Sequence, residues 1–171
     1  QWGPVLESRW ERLKGKHSLT GLYENAEKPI AYDLIRSANH QIDIEIYEMK
    51  DKTFRNLLLN KLNEGVHVRI VKDSNTIGDS CDELSPPTPD DEAECKDEKL
   101  FVSQLKTKGA QYIWFNKKSL CGVEGRSCFE HGKMIIIDNK TLLLSTGNFN
   151  GSSFCSEEAA KCNRDYSYVT R

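Results

Sequence analysis

The 171-residue chain contains no apolar run near the ~20 residues that a membrane-crossing helix needs, so a transmembrane helix is excluded. Hydrophobic residues are few, at 37%, against 29% charged. Histidine is scarce, with four residues, and no two cysteines stand as Cys-x-x-Cys, so the ligand spacing of a zinc site is missing. No pattern calls for a metal or an organic cofactor, and none is expected. The net charge of −2 does not announce a polyanion binder. Of the five prolines, three crowd together at 86, 87 and 89. The chain opens on Gln1 and not on Met, which reads as a processed mature terminus or a cloning boundary.

The charge that is present is unevenly placed. Between Asp79 and Glu98 lie nine acids and one lysine; outside that tract the balance is 23 basic against 17 acidic residues. The tract reads as a solvated loop, and the rest of the domain keeps a surplus of positive charge that can attract phosphate. Six cysteines stand at Cys81, Cys95, Cys121, Cys128, Cys155 and Cys162. An even number, placed in loops, points to disulfides and to a secreted or periplasmic location. Pairing of sequence neighbours (81–95, 121–128, 155–162) is the simplest of the 15 connectivities open to six cysteines.

Periodicity divides the chain into a polar N-terminal arm, residues 1–27, anchored by Trp2 and Trp10, and a domain over 28–171. A helix is expected over 28–39 from Ile30, Leu34 and Ile35. A strand follows over 41–49, where Ile42, Ile44 and Ile46 alternate with Asp43, Glu45 and Tyr47. Residues 51–65 read as a helix capped by Asp51 or Thr53, with Gly65 at its stop, and 66–71 as a strand. Strand–helix–strand argues for parallel pairing. Residues 74–98 form an acidic insertion, followed by a second crossover helix over 98–108 and a strand over 111–115.

The chemistry concentrates further on. Glu130-His131-Gly132-Lys133 leads into the apolar run Met134–Ile137 and Asp138; a second apolar run, Thr141–Leu144, delivers Ser145-Thr146-Gly147-Asn148-Phe149-Asn150. His131 and Lys133 are two apart, so on a strand they share a face. A neutral imidazole beside a fixed ammonium suits attack on a phosphodiester through a covalent phosphohistidine. Lys133 and Asn148 would hold the non-bridging oxygens. Taken alone, His-x-Lys carries almost no information; its spacing to Asp138, Ser145, Thr146 and Asn148 on two apolar strands carries the reading.

This pattern resembles the HKD signature of the phospholipase D superfamily, with Ser145-Thr146-Gly147-Asn148 where that family has Gly-Ser-x-Asn. The resemblance extends upstream through residues 41–48 and 65–70 and downstream through Asn163-Arg164-Asp165-Tyr166. It implies a phospholipase D-like α/β fold: a mixed, largely parallel sheet flanked by helices on both faces. It implies catalytic roles for His131, Lys133 and Asn148, a supporting role for Asp138, and an acid at Asp165 that hydrogen-bonds the histidine from behind. A shifted alignment makes Asn150 the phosphate ligand, and Ser145, Thr146 and Glu45 are further substrate-facing candidates.

One motif supplies one histidine, whereas the family's mechanism uses a nucleophile and a general acid. His17, His40 and His67 lack the pattern. A second HKD half is therefore expected, from a homodimer or from another segment of the same gene product; the end at Arg171, directly after a predicted strand, favours the second. The substrate class is a phosphodiester, with phosphatidyl lipid favoured over DNA or RNA. The competing class is a non-catalytic binding domain that has kept the fold. Two glycosylation triplets, at Asn139 and Asn150, lie against the proposed site and are expected to be unmodified.

Overall fold

The computed structural model describes residues 21–73, 89–115, 130–157 and 159–171. The arm's two tryptophans and Cys81, Cys121 and Cys128 lie outside these residues.

Alternation builds the sheet. In β2 (Gln41–Ile46) Ile42, Ile44 and Ile46 are buried while Gln41, Asp43 and Glu45 are half-exposed. The same alternation recurs in β3 (His67–Asp73), β5 (Lys133–Ile137), β6 (Thr141–Ser145) and β7 (Tyr166–Thr170). With β1 (Gly21–Glu24) and β4 (Gln111–Phe115) they form one seven-stranded sheet in the order β1-β7-β6-β5-β2-β3-β4. The edge strand β1 falls within the segment read as an arm and pairs antiparallel with β7.

The sheet is mixed, as the resemblance implies, but antiparallel neighbours outnumber parallel ones. Only β2–β3 and β3–β4 are parallel. Those two pairs are joined by helices, which carry the chain back to start in the same direction. A short turn after Ile137 makes β5 and β6 antiparallel, and β2–β5 and β6–β7 are antiparallel as well.

The helices α1 (Ile30–Ser37), α2 (Lys52–Asn63) and α3 (Pro89–Thr107) supply the other half of the core. Ile30, Leu34, Ile35, Phe54, Leu58, Phe101 and Leu105 pack on Ile42, Ile44, Ile46, Ile70, Ile135, Ile137 and Leu143. Helical cover was expected on both faces; among the described residues the helical core lies on one. The other face carries Asp43, Glu45, Arg69, Met134 and Ile136, with Ile113 and Leu144 exposed.

Asp51 caps α2, accepting the Phe54 N–H at 2.7 Å and the Tyr32 hydroxyl at 2.7 Å. The third helix departs from expectation. It begins at Pro89, well before residue 98, so the second half of the acidic tract is helical. Its last acid is buried: Glu98 bonds the Arg55 guanidinium, and its other oxygen lies 3.4 Å from the equally buried Lys72 ammonium. Asp97 takes a second Arg55 nitrogen at 2.6 Å. Two cations inside the core give these acids a reason to fold against it rather than stay in solvent.

Among the cysteines, Cys155 and Cys162 form the expected disulfide, with a Cα–Cα distance of 4.9 Å. Cys95 is also disulfide-bonded. Among the described residues, no helix is long and apolar enough to cross a membrane.

Candidate active site

The start of β5, the end of β2 and the loop after β6 meet at one edge of the sheet. His131 is exposed there, and Lys133 is half-buried. The Lys133 ammonium donates to the His131 carbonyl at 2.8 Å. Tyr47, just past β2, lies beneath both: its ring meets the imidazole edge-on at 4.8 Å, and the Lys133 nitrogen stands 5.8 Å from its centroid. The Tyr47 N–H donates to the Gly132 carbonyl at 3.2 Å, which joins the two strand ends. The arrangement presents an imidazole with an ammonium alongside.

Asn148 lies in the loop after β6 and meets Glu48, just past β2. Its amide nitrogen is 3.5 Å from Glu48 Oε2, while its buried Oδ1 has no hydrogen-bond partner among the described residues. Asn150 donates to the same Glu48 oxygen at 2.5 Å, and Lys50 lies 3.3 Å from the other. The main chain is interlocked at this point. Phe149 N–H donates to the Glu48 carbonyl, and Lys50 and Asp51 N–H groups donate to the Phe149 carbonyl. Asn150 has a structural duty as well: its Oδ1 accepts from Ser153 N–H at 3.0 Å and caps the short helix α4 (Gly151–Phe154). Glu48 was not singled out from the sequence; it lies just beyond the alternating strand, where periodicity stops being informative.

The remaining loop groups are engaged internally. The Ser145 hydroxyl accepts from Asn25 Nδ2 and from Gly147 N–H, each at 3.2 Å. Thr146 Oγ1 donates to Asp165 Oδ1 at 3.1 Å and accepts from Tyr166 N–H at 3.0 Å. The second Asp165 oxygen accepts from Ser153 Oγ at 2.8 Å. The expected Asp165–His131 hydrogen bond is not formed in this structure; the Asp165 oxygens accept from Thr146 and Ser153 instead. Asp165 also closes over Gly147, where a Cβ would stand 2.4 Å from the carboxylate, so only glycine fits.

Lys133 is held low by burial, and the neighbouring charges of Asp165, Glu130 and Glu48 work in the opposite direction. Three carboxylates therefore act on the Lys133 ammonium. Glu45, expected from the sequence to face substrate, instead stands on the opposite sheet face from Lys133, against Glu130 and Gly132, and is outside the binding site.

Asp138 is at the other end of β5, roughly 16 Å from Lys133 at strand rise. It accepts the backbone N–H groups of Asn39, His40 and Gln41 at 3.0, 2.8 and 2.8 Å, so it fixes the α1–β2 turn and lies outside the site. The expectation that it supports the catalytic hydrogen-bond network is corrected: the five-residue strand separates them. Asn139, in the following turn, is likewise remote, so of the two glycosylation triplets only that of Asn150 adjoins the site. Among the described residues no cluster of three or more His, Cys, Asp or Glu is arranged to hold a metal ion.

The fold is a mixed α/β sheet with His131 just before β5, Lys133 at its start and Asn148 in the loop after β6. The family profile described as "Cardiolipin synthase, PLD-like domain" matches residues 32–169. The chain belongs to that phospholipase D-like family, and family and fold together make it a phosphodiesterase-type hydrolase of the superfamily. A search of curated protein sequences returns no match. Among solved structures it is similar to the phospholipase D family member NUC from Salmonella typhimurium, at TM-score 0.60 and 16% identity over 88% of this chain and 79% of that one. NucT from Helicobacter pylori gives TM-score 0.60 and 15% identity over 88% and 83% of the two chains. Phosphatidylserine synthase from Haemophilus influenzae Rd KW20 gives TM-score 0.59 and 14% identity over 86% of this chain but 33% of that one.

Proposed function

We propose that this chain forms one half of a two-histidine phosphodiesterase site in which His131 is the nucleophile. The observation that carries the reading is the exposed His131 ring, with the Lys133 ammonium folded back along its backbone. The imidazole attacks phosphorus, the P–O bond to the leaving alcohol breaks, and a phosphohistidine forms. Lys133 and the Asn148 amide nitrogen donate to the non-bridging oxygens. A second HKD motif, from a partner copy or another segment of the gene product, protonates the leaving oxygen. Water or an alcohol then releases the phosphoryl group.

We favour a phosphatidyl lipid as the substrate. Three carboxylates crowd Lys133, and a polyanionic strand would be repelled by that local charge. Secretion to an oxidising compartment fits the disulfides at Cys155–Cys162 and Cys95.

The test is to trap the intermediate. The chain is incubated with phosphate-labelled phosphatidyl vesicles and, separately, with labelled oligonucleotide, with His131→Ala as control. Acid-labile label on His131 from the vesicles is the expected result. Label from the oligonucleotide alone would transfer the reading to a nuclease, and no label from either would leave a binding domain. Solution mass distinguishes a homodimer from a single copy.

A further inference from the structure

The turn that carries His131 and Lys133 is gripped by two carboxyl groups. Gly132 N–H donates to Glu130 Oε1 at 2.8 Å. A Cβ on Gly132 would stand 2.7 Å from that oxygen and 2.9 Å from Glu45 Oε1, so oxygens of both side chains converge over one α-carbon. Glu130 is anchored in turn, its own N–H donating to the buried Asp73 carboxylate at 2.7 Å. Two acids, one from β2 and one from the segment before β5, thus meet at the single residue between the proposed nucleophile and its lysine.

We propose that Glu45 and Glu130 form a carboxyl–carboxyl clamp, joined by one shared proton, that positions the His131-Gly132-Lys133 backbone. Neither acid reaches substrate; both are positioning residues. The inference rests on the phosphodiesterase reading for its consequence, but the clamp itself is a property of the fold. Two carboxylates this close cannot both ionise without repulsion, whereas a protonated one donates to the other.

The surroundings do not neutralise the pair. On the same sheet face, Asp43 is committed to Arg69, at 2.5 and 2.8 Å. β4 and β5 contribute uncharged Gln111, Ile113, Met134 and Ile136 there. The nearby charges are Asp73, which holds the Glu130 backbone, and Lys133, which is also shared by Glu48 and Asp165; the His131 ring is the adjoining titratable group. The hydrogen bond with Glu130, then burial, then mutual repulsion, push the Glu45 carboxyl above its usual range. A raised carboxyl value means that the clamp is complete in acid and is lost as pH rises through that value.

The experiment follows the Gly132 amide proton by NMR in the 15N-labelled chain between about pH 4 and 8, beside the rate of His131 labelling. The wild-type amide is expected to titrate with a midpoint above that of an ordinary glutamate. Glu45→Gln, whose amide donates at every pH, should flatten that titration and keep labelling. Glu130→Ala should slow labelling about 100-fold, the cost of a misplaced nucleophile, and Glu130→Gln should restore it to within about three-fold. A wild-type Gly132 amide that does not titrate, or a titration unchanged in Glu45→Gln, would overturn the clamp. A titrating amide in a chain that never labels His131 would uphold the clamp and remove the phosphodiesterase reading.

Discussion

The Lys133 ammonium donates to the carbonyl of His131, two residues before it, at 2.8 Å. That bond keeps the cation beside the imidazole without a salt bridge among the described residues, so the charge is available to a phosphate. Its value is lowered by burial, with Asp165, Glu130 and Glu48 restoring it in part. A lysine that must be charged to act then loses its proton below the usual lysine range. Activity should therefore fall on the alkaline side before pH reaches about 10.4, the ordinary lysine value. Lys133→Arg should move that limb to higher pH, and Lys133→Met should abolish it along with most activity. The check is the pH profile of kcat/KM; a limb unmoved by arginine would assign it to another group. For stability the sign is opposite: a depressed lysine favours folding more as pH rises through its folded value towards its unfolded one.

Glu48 is the hub of the asparagine side of the site. It receives Asn150 at 2.5 Å and Asn148 at 3.5 Å, and pairs with Lys50 at 3.3 Å. Its removal frees both amides at once. Glu48→Ala should raise KM or lower kcat by about 10-fold or more, the scale of hydrogen bonds to a charged group. Glu48→Gln keeps one acceptor and should lose less. Steady-state kinetics on both variants decides this; equal, near-wild-type values would show that Asn148 needs no such support.

Local patterns in the sequence were sufficient for much of the fold. Ile42, Ile44 and Ile46 alternate on one face, Asp51 caps the helix it precedes, and strand–helix–strand gives the parallel β2–β3 pair. What stayed hidden depends on distant partners. β1 is four residues long and is stabilised by β7, some 145 positions away. Glu98 looks solvated until Arg55 and Lys72 are placed around it. Pro89 at the first helical position was a readable start signal, masked by the acids on either side. In the site, the pairing of His131 with Lys133 was legible from spacing. The remoteness of Asp138 was legible from strand length alone, while the engagement of Asp165 by Thr146 and Ser153 required coordinates.

Asp138 provides a control for that distinction. Burial works to raise its carboxyl, but three backbone N–H donors outweigh it and hold it below the usual range. The stabilisation it contributes is present above the ordinary Asp value and is lost as pH falls through its lowered one. Asp138→Ala should cost about 1–2 kcal/mol, as for the loss of a cap on free backbone donors, and so lower Tm by about 2–8 °C. kcat and KM should stay within about two-fold, because the residue lies at the far end of its strand. Thermal unfolding and kinetics on the same preparation test both halves; a large kcat loss with unchanged Tm would return Asp138 to the site.

The buried cluster behind the site sets a different expectation. Arg55 is bonded by Asp97 and Glu98, and Lys72 relies on the same Glu98 at 3.4 Å. Removing Glu98 leaves two cations in the core with one exposed acid, Asp97, so Glu98→Ala should destabilise by about 3–5 kcal/mol. Replacing all three buried partners with apolar residues of similar volume (Arg55→Met, Lys72→Met and Glu98→Leu together) should recover most of that loss, since no desolvated charge remains. The strand end matters too. Lys72 is followed by Asp73, whose carboxylate holds Glu130, so a shift of Lys72 towards solvent would drag the anchor of the His131 turn. The single variant should then lose activity beyond what its folded fraction explains, and the triple variant should regain it. Urea unfolding together with activity measured well below the midpoint separates the two effects. A triple variant that is as unstable as the single one would mean that the cluster is a net stabilising network rather than a desolvated set of charges whose value lies in being complete.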